Sequence, residues 1–208
     1  MNKIKYLSIH SAFVTLVLCF PGHCFSQDKA DAPVTNVTKI TFINPGASYE
    51  KSIAKKQTLY IQAFMNLSGS FEYSSTYGSS STIFFDPAFT FQYRYYYGLK
   101  RRDRKGARTA MNSANYLSAI YENVFSKRSI SNSYYIEDRR RAVNTVGVVW
   151  GMQRNYQRRF SLDLNIGAGY LFTRSTLPYS SWQTAKEHSG QFTIPGQVNL
   201  GIWLNKKV

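Results

Sequence analysis

The chain contains 208 residues, of which 43% are hydrophobic and 16% aromatic, and its formal net charge is +15. The length corresponds to one domain, and the hydrophobic fraction is too high for an intrinsically disordered chain. The 16 Tyr and 14 Phe residues favour β-strands, because aromatic side chains fit a pleated, partly buried surface.

The first 26 residues have the pattern of a secretory signal peptide. Lys3 and Lys5 give the start of the chain a positive charge, and the short apolar run AFVTLVLCF follows them. Small residues precede Gln27, so we predict cleavage after Ser26 and export of the remainder. An uncleaved membrane anchor is the alternative interpretation, although the apolar run is shorter than the roughly 18 residues of a membrane-spanning helix.

Cleavage would remove both cysteines and two of the three histidines. The mature chain would keep His188 as its one histidine, and its formal charge would be +13, because two lysines and no acidic residue are lost from the total of +15. Such a chain has no disulfide, no thiolate nucleophile and no His/Cys metal cluster. We therefore predict no metal and no cofactor, with residues 27–36 as a short tail and residues 37–205 as the folded domain.

Seven segments of the mature chain alternate between apolar and polar or small residues, which is the two-residue period of a β-strand. In chain order they are VTKITFINPGASYEK (Val37–Lys51), LYIQAFMNL (Leu59–Leu67), FTFQYRYYY (Phe89–Tyr97), NYLSAIYENVF (Asn115–Phe125), TVGVVWGMQ (Thr145–Gln153), FSLDLNIGAGYLF (Phe160–Phe172) and FTIPGQVNLGIWL (Phe192–Leu204). Several of them reach the roughly 9–11 residues that a tilted strand needs to cross a bilayer. The polar stretches 68–81, 127–141 and 174–190 are predicted to be loops, and the basic stretch 98–110 a turn.

Alternation alone does not tell which face of a strand lies inside. Three features favour an outward apolar face. The apolar face carries about seven large residues on some strands, which is too much volume for the inside of a small barrel. The opposite face carries Gly, Ser, Asn, Gln, Asp and Arg, whereas Lys and Arg concentrate between the strands. Aromatic residues near strand ends suit the girdles of a membrane barrel, namely Tyr95, Tyr97, Phe160, Phe172 and Trp203.

These features predict an all-β fold, a closed antiparallel up-and-down transmembrane β-barrel, because backbone groups in lipid must pair internally. Bacterial single-chain barrels have even strand numbers. We therefore predict eight strands, with ten as the alternative. The missing strand either lies between Ala32 and Tyr49 or results from merging two strands into one segment. Pro195 lacks a backbone donor and predicts a bulge in the final strand.

Several stretches resemble the small outer-membrane β-barrel proteins that are common in Bacteroidota. The resemblance covers most of the mature chain and rests on NPGASYEKSI, FQYRYYYGLKRR, NSANYLS, VGVVWGMQRNYQRRF and LNIGAGY. It implies an eight-stranded barrel in the outer membrane, in a family whose members often have undefined roles. The chain departs from the family where LNKKV follows Trp203, because the last strand usually ends on an aromatic residue.

Four charged residues occupy the polar face of the predicted strands: Glu50, Arg94, Glu122 and Asp163. They could line a path for solutes, form a catalytic acid pair, or form a buried network of ion pairs. The interior of an eight-stranded barrel is nearly filled by side chains. Charges removed from water need partners of opposite sign, which these residues provide. The buried network is therefore the favoured interpretation.

Two groups of basic residues lie between the predicted strands. We place one at the periplasmic side, Arg101, Arg102, Arg104 and Lys105, and one at the outer side, Lys127, Arg128, Arg139, Arg140 and Arg141. An exported chain meets little nucleic acid, so no nucleic-acid partner is predicted. We expect contacts with phosphates of membrane lipids and of lipopolysaccharide. Peptidoglycan or a periplasmic protein is the alternative partner for the first group.

The sequence therefore predicts a non-enzymatic outer-membrane protein, an envelope scaffold or interaction protein with polar extracellular loops and a filled polar lumen. A narrow channel for ions or small solutes is the first alternative. The second is a lipid-modifying enzyme that uses His188 with Ser189 or Ser180. Nucleophilic catalysis needs a base that a third group orients, and the sequence offers His188 in a polar stretch without such a group.

Overall fold

Strands account for most of the described chain. The computed structural model describes residues 33–74, 78–128, 136–180 and 183–205, with side chains over 33–67, 85–127, 140–174 and 190–205. The elements are β1 (Val37–Thr41), β2 (Gly46–Ala54), β3 (Gln57–Ser74), β4 (Gly78–Tyr95), α1 (Leu99–Arg104), β5 (Asn115–Arg128), β6 (Ile136–Asn155), β7 (Phe160–Ser180), β8 (Gln183–Thr193) and β9 (Gly196–Trp203). Over these ranges, no helix combines the length and the apolar character that a membrane span requires.

The nine strands form one antiparallel sheet in which eight strands make a ring. Strands β1 to β7 pair in sequence order, and β9 closes the ring by pairing with β7 on one side and with β1 on the other. The structure therefore confirms the predicted all-β class, the antiparallel pairing and a ring of eight strands. The ring does not have the ten strands of the alternative prediction.

The ninth strand arises from the proline in the last predicted segment. β9 pairs with the first part of β7 as far as Ile166↔Gly196, and β8 pairs with the rest of β7 from Gly169↔Thr193. Ile194 and Pro195 lie between β8 and β9. Pro195 has no N–H for the ladder, but its carbonyl oxygen still accepts a hydrogen bond from Gly167 N at 2.9 Å. The single final strand of the prediction is thus two strands, with the irregularity at the predicted residue.

The predicted first segment, Val37–Lys51, is a hairpin of β1 and β2 instead of one strand. Its turn contains Asn44 with a φ of 53°, a left-handed conformation that asparagine adopts more readily than most residues, followed by Pro45. The Thr41 hydroxyl donates to the Asn44 carbonyl oxygen at 2.9 Å. The strand that the sequence count lacked therefore came from merging two strands.

The three long predicted loops belong largely to strands. β3 extends to Ser74 and β4 begins at Gly78, β5 extends to Arg128 and β6 begins at Ile136, and β7 extends to Ser180 and β8 begins at Gln183. Antiparallel pairing satisfies the backbone groups whatever the side chains are, so these stretches form strands without alternation in their sequence. The basic stretch 98–110, predicted as a turn, contains the short helix α1.

The apolar face of each strand points out of the ring. Phe91, Tyr93 and Tyr95 are each about 40% exposed, whereas Gln92 and Arg94 between them are fully buried. β7 repeats this pattern, with Asp163 buried and Ile166 exposed. Hydrogen bonds that join strands not adjacent in the sheet cross the space enclosed by the buried faces, as between Arg94 in β4 and Asp163 in β7. The buried face is therefore the interior.

Trp203 departs from the prediction of an outward aromatic girdle. Its side chain is 1% exposed and faces the interior, and its Nε1 donates to the Tyr156 carbonyl oxygen at 3.0 Å. The reason is its position next to Ile202, because successive residues of a strand point to opposite faces. Outside the same end of the ring, Trp150 donates instead to the Tyr97 hydroxyl at 2.5 Å, and both side chains are exposed.

The two ends of the ring differ in construction. At one end, here called the plugged end, lie residues 33–36 and the β2–β3, β4–β5 and β6–β7 connections. At the other, here called the hairpin end, the β3–β4, β5–β6 and β7–β8 hairpins extend beyond the ring. The last register pair between β4 and β5 is Ala88↔Val124, and that between β6 and β7 is Val143↔Thr173. Beyond these pairs each hairpin continues as its own two-stranded ladder.

Candidate functional site in the interior of the ring

Arg94 lies at the centre of a cluster of charged side chains inside the ring. It is fully buried, and its Nη1 donates to Asp163 Oδ2 and to Gln153 Oε1, both at 2.9 Å. Its Nε donates to Gln92 Oε1 at 2.8 Å. The ion pair with Asp163 reaches from β4 to β7, and the bond to Gln153 reaches to β6. One guanidinium therefore connects three strands across the interior.

Two tyrosine rings enclose the Arg94 guanidinium. Its Cζ lies 3.6 Å from the centre of the Tyr60 ring and 4.3 Å from that of Tyr116, distances at which a cation is attracted to the ring face. The Tyr116 hydroxyl also donates to Asp163 Oδ1 at 2.7 Å. Gly151 leaves the space for the Tyr116 ring, since a Cβ at that position would overlap it.

Lys39 and Glu50 complete the cluster and balance its charge. Lys39 Nζ donates to Gln153 Oε1 at 2.6 Å and lies 3.6 Å from Asp163 Oδ2. Glu50 accepts hydrogen bonds from Thr58 at 2.7 Å, from Tyr96 at 2.6 Å and from Gln153 at 3.1 Å. We call Lys39, Glu50, Arg94, Gln153 and Asp163 the interior charge cluster. The Gln153 amide links both cations to Glu50, while Asp163 pairs with Arg94 and lies near Lys39, so the cluster holds two positive and two negative charges.

Tyr96, which follows β4, links the cluster to the plugged end. Burial raises the pKa of its hydroxyl well above the ordinary value, and the negative charge of Glu50 raises it further. The hydroxyl therefore stays protonated and donates to Glu50. Its ring contacts that of Tyr116, with the ring centres 5.5 Å apart.

Glu122 lies apart from the interior charge cluster. It accepts hydrogen bonds from Thr90 at 3.0 Å and from Gln197 at 2.5 Å. Asn165 donates to Gln197 Oε1 at 3.4 Å, which extends this group to β7. The Glu122 carboxylate is thus held by neutral donors, and among the described side chains no cation pairs with it.

The structure thus places all four predicted interior residues on the interior face, and it brings three of them together. Glu50, Arg94 and Asp163 belong to the interior charge cluster, whereas Glu122 does not. Sequence reasoning missed Lys39, Gln153, Tyr60, Tyr96 and Tyr116. Lys39 was hidden in the merged first segment. The two-residue period puts Tyr60, Tyr96 and Tyr116 on the polar faces of their strands, and this position was the signal that could have found them.

The β4–β5 connection closes the plugged end. We call residues 96–114 the plug segment. Met111 packs with Val37 and Trp203 in one buried cluster, and Leu99 and Ala114 belong to another that includes Val34. Gln153 connects the first of these clusters to the interior charge cluster by donating to the Met111 carbonyl oxygen at 3.2 Å. The second cluster also contains Tyr96 and Tyr116, whose hydroxyls donate to the two carboxylates.

Asn112 fastens the plug segment to the start of the domain. Its Nδ2 donates to the Thr35 carbonyl oxygen at 2.8 Å, and its Oδ1 accepts from Thr35 N at 2.7 Å. Met111 and Asn112 have φ values of 54° and 60°, so the segment turns sharply there. Part of the predicted tail 27–36 is therefore packed against the domain: Val34 is buried and Thr35 is held from both sides.

The basic residues predicted to contact lipid phosphates lie at both ends of the ring. At the plugged end, Arg101, Arg104 and Lys105 are exposed, and Arg102 donates to the Arg108 carbonyl oxygen.

At the hairpin end, Lys127 is exposed, Arg140 lies 3.9 Å from Asp86 and donates to the Phe85 carbonyl oxygen, and Arg141 donates to the Thr173 hydroxyl at 2.6 Å. The side chains of Arg128 and Arg139 lie outside the described part of the chain. The contacts with phosphate stay a prediction.

The catalytic alternative depends on side chains outside the described part, because those of His188, Ser189 and Ser180 all belong there. Within the described ranges, no three His, Cys, Asp or Glu residues come together as a metal site. Residues 1–32, which include the predicted signal peptide, are likewise outside the description. Comparison with protein-family models, with curated proteins and with solved structures gives no match for this chain.

Proposed function

We propose that the protein is a closed up-and-down β-barrel of the outer membrane, exported by a signal peptide of residues 1–26, and that it acts as a non-enzymatic envelope scaffold or interaction protein. The observation that carries the proposal is the polarity of the ring. Its interior holds four charged residues in one cluster, and its outer face is apolar. A ring in water would place these two sets the other way round.

The size of the apolar face fits a bilayer. Along β7 the outward residues run from Phe160 to Phe172, both aromatic, with Ile166 between them. These 12 steps cover about 40 Å along the strand, and about 28 Å across a membrane at the usual tilt of about 45°. That distance is close to the roughly 25 Å of the apolar band of outer-membrane barrels. Aromatic residues at both limits suit the two interfaces.

The filled interior supports a scaffold more than a channel. The plug segment covers one end, and behind it the interior charge cluster spans the ring from β1 to β7. A solute would have to displace a network of buried charges that hydrogen bonds link across the ring. We therefore expect purified protein in planar bilayers to show no steady conductance, and a reproducible open level would favour the narrow channel instead.

Membrane integration is tested in cells. We expect the full chain to stay in the membrane fraction after washing with urea and to lose its first 26 residues. Release by urea would contradict the barrel. For the enzymatic alternative, His188→Ala should leave the lipid composition of the envelope unchanged, and a lost lipid modification would revive it. Crosslinking from tagged hairpins would then identify the protein that the scaffold contacts.

A further inference from the structure

Strands β6 and β7 separate at the hairpin end, and a groove opens between them. Their last register pair is Val143↔Thr173. Beyond it, β6 continues with β5 and β7 continues with β8. The space between them is a cavity of about 510 Å³, and its lining includes Arg141, Asn144 and Arg174. We call it the β6–β7 groove.

Among the described side chains that line the β6–β7 groove, two are positively charged and none is acidic. Arg174 is exposed. Arg141 is partly buried, and its Nη1 donates to the Thr173 hydroxyl, which in turn donates to the Ala142 carbonyl oxygen at 2.8 Å. This chain of hydrogen bonds holds the Arg141 guanidinium at the wall of the groove. A guanidinium presents planar donors that match the oxygens of a phosphate.

A polar group on the outer face supplies a further donor. Asn144 Oδ1 accepts hydrogen bonds from Tyr121 at 2.8 Å and from Asn123 at 2.7 Å. With its oxygen occupied twice, the Asn144 side chain offers its nitrogen as a donor at the groove. Asparagines are out of place on an apolar outer face unless they have polar partners, so this group marks the limit of the apolar face.

Two aromatic side chains continue the groove toward the apolar face. Tyr170 and Phe172 line the groove and are about 40% exposed, and they are outward residues of β7 directly before Arg174. One end of the groove therefore offers charge and the other offers hydrocarbon-like surface. Among common molecules of an envelope, a lipid with a phosphate has both parts in this order.

We propose that the β6–β7 groove binds the phosphate of an anionic membrane lipid, with Arg141 and Arg174 on the phosphate and Tyr170 and Phe172 against an acyl chain. The inference rests on the proposed membrane location, since the acyl chain must reach the groove from the bilayer. Charge-assisted hydrogen bonds are roughly twice as strong as neutral ones, so the two arginines decide the preference for anionic lipids.

The test uses the full-length mature protein in detergent micelles, with phosphatidylglycerol as the anionic lipid and phosphatidylcholine as the neutral one. Native mass spectrometry counts bound lipid across a titration. We expect the wild type to prefer phosphatidylglycerol and Arg174→Gln to weaken its binding about tenfold, with little change for phosphatidylcholine. Arg174 is exposed, so the variant should fold as the wild type does.

Arg158→Gln is the matched control. Arg158 is also exposed, and its replacement by glutamine removes the same charge. It lies in the β6–β7 connection at the plugged end, away from the groove. We expect it to bind phosphatidylglycerol like the wild type. Equal losses in the two variants, or none in Arg174→Gln, would overturn the proposal.

Inorganic phosphate tests the source of the phosphate. It should not displace phosphatidylglycerol at concentrations up to a hundredfold above the lipid, and full displacement would show an ion site instead of a lipid site. Lipid binding in micelles and the urea wash of cell membranes are separate measurements, so their outcomes can be told apart. Release of the protein by urea would contradict the membrane proposal. Unchanged phosphatidylglycerol binding by Arg174→Gln, in a protein that resists urea, would contradict only the groove.

Discussion

The interior behind the plugged end and the hairpin end of the ring treat charged residues in opposite ways. Behind the plugged end, Arg94 and Asp163 are buried and paired within the interior charge cluster. At the hairpin end, Arg174 and Lys127 are exposed, and Arg140 is half exposed beside Asp86. The first set must be neutralised by the protein because water does not reach it. The second set remains available to ligands, so we assign stability to one end and recognition to the other.

The largest effect is expected from Arg94→Met, which removes the central cation of the interior charge cluster. Asp163 would keep one described cation near it, Lys39 at 3.6 Å, and the hydrogen bond from the Tyr116 hydroxyl. Breaking a buried ion pair on one side costs about 3–5 kcal/mol of stability. Equilibrium unfolding in guanidinium, with the protein in lipid vesicles, measures this loss.

The double variant Arg94→Met with Asp163→Asn is the control for that loss. It removes both charges, so it should recover part of the stability that Arg94→Met loses. A single variant within about 1 kcal/mol of the wild type would show that the cluster contributes little, and the contrast between the two ends would fail.

An intermediate effect is expected from Asn112→Ala, which removes both hydrogen bonds to Thr35. The loss of two hydrogen bonds, together with a left-handed φ that alanine disfavours, should lower the free energy of unfolding by about 1–3 kcal/mol. Hydrogen exchange should become faster in residues 109–114 and stay unchanged in β6 and β7. Asn112→Gly also loses both hydrogen bonds but keeps the backbone conformation accessible, so its difference from the wild type isolates the hydrogen bonds. The difference between the alanine and glycine variants gives the cost of the left-handed φ. Unchanged exchange in both would contradict the role of the plug segment.

A smaller effect is expected from Glu122→Gln. Glu122 is held by Thr90 and Gln197, which are neutral, and glutamine preserves the shape of the side chain. We expect a change in unfolding free energy below about 1 kcal/mol. Glu50→Gln in the interior charge cluster should cost more, since it leaves excess positive charge there. Equal costs in the two variants would remove the distinction between the two groups of interior residues.

The smallest effect is expected from Arg140→Gln, at the hairpin end. Its contact with Asp86 is long at 3.9 Å, and its side chain is 50% exposed. Exposed ion pairs contribute little, so stability should change by about 0.5 kcal/mol or less. The same unfolding measurement checks this, and a loss comparable to that of Arg94→Met would contradict the assignment of stability to the plugged end.

The alternation of residues was enough to predict the central parts of most strands and three of the four charges in the interior charge cluster. Glu50, Arg94 and Asp163 follow directly from the two-residue period. It was not enough for the β1–β2 hairpin, because Phe42 and Ile43 in the turn are apolar and continue the strand pattern. Trp203 was predicted on the outer face because it lies near a strand end. The alternation of the strand places it on the polar, inward face, and this was the better guide.

The plug segment could not be predicted from its own sequence. Residues 98–110 are strongly basic, which is typical of a solvated turn, while the contacts of Asn112 with Thr35 join positions 77 residues apart. The partners of the interior charges were equally out of reach, because they depend on which strands face each other across the ring. The extended hairpins were missed because backbone pairing, rather than side-chain pattern, forms them.

The central claim is that the apolar face of the ring meets lipid, and two tryptophans on opposite faces test it. Trp150 is 45% exposed on the outer face and Trp203 is 1% exposed in the interior. The third tryptophan of the chain, Trp182, is first replaced by phenylalanine so that only these two contribute to the fluorescence. With this variant reconstituted in lipids that are brominated on their acyl chains, we predict strong quenching of the tryptophan fluorescence. After the further change Trp150→Phe, we predict almost no quenching. Quenching that persists in that second variant, with Trp203 as its only tryptophan, would contradict the account.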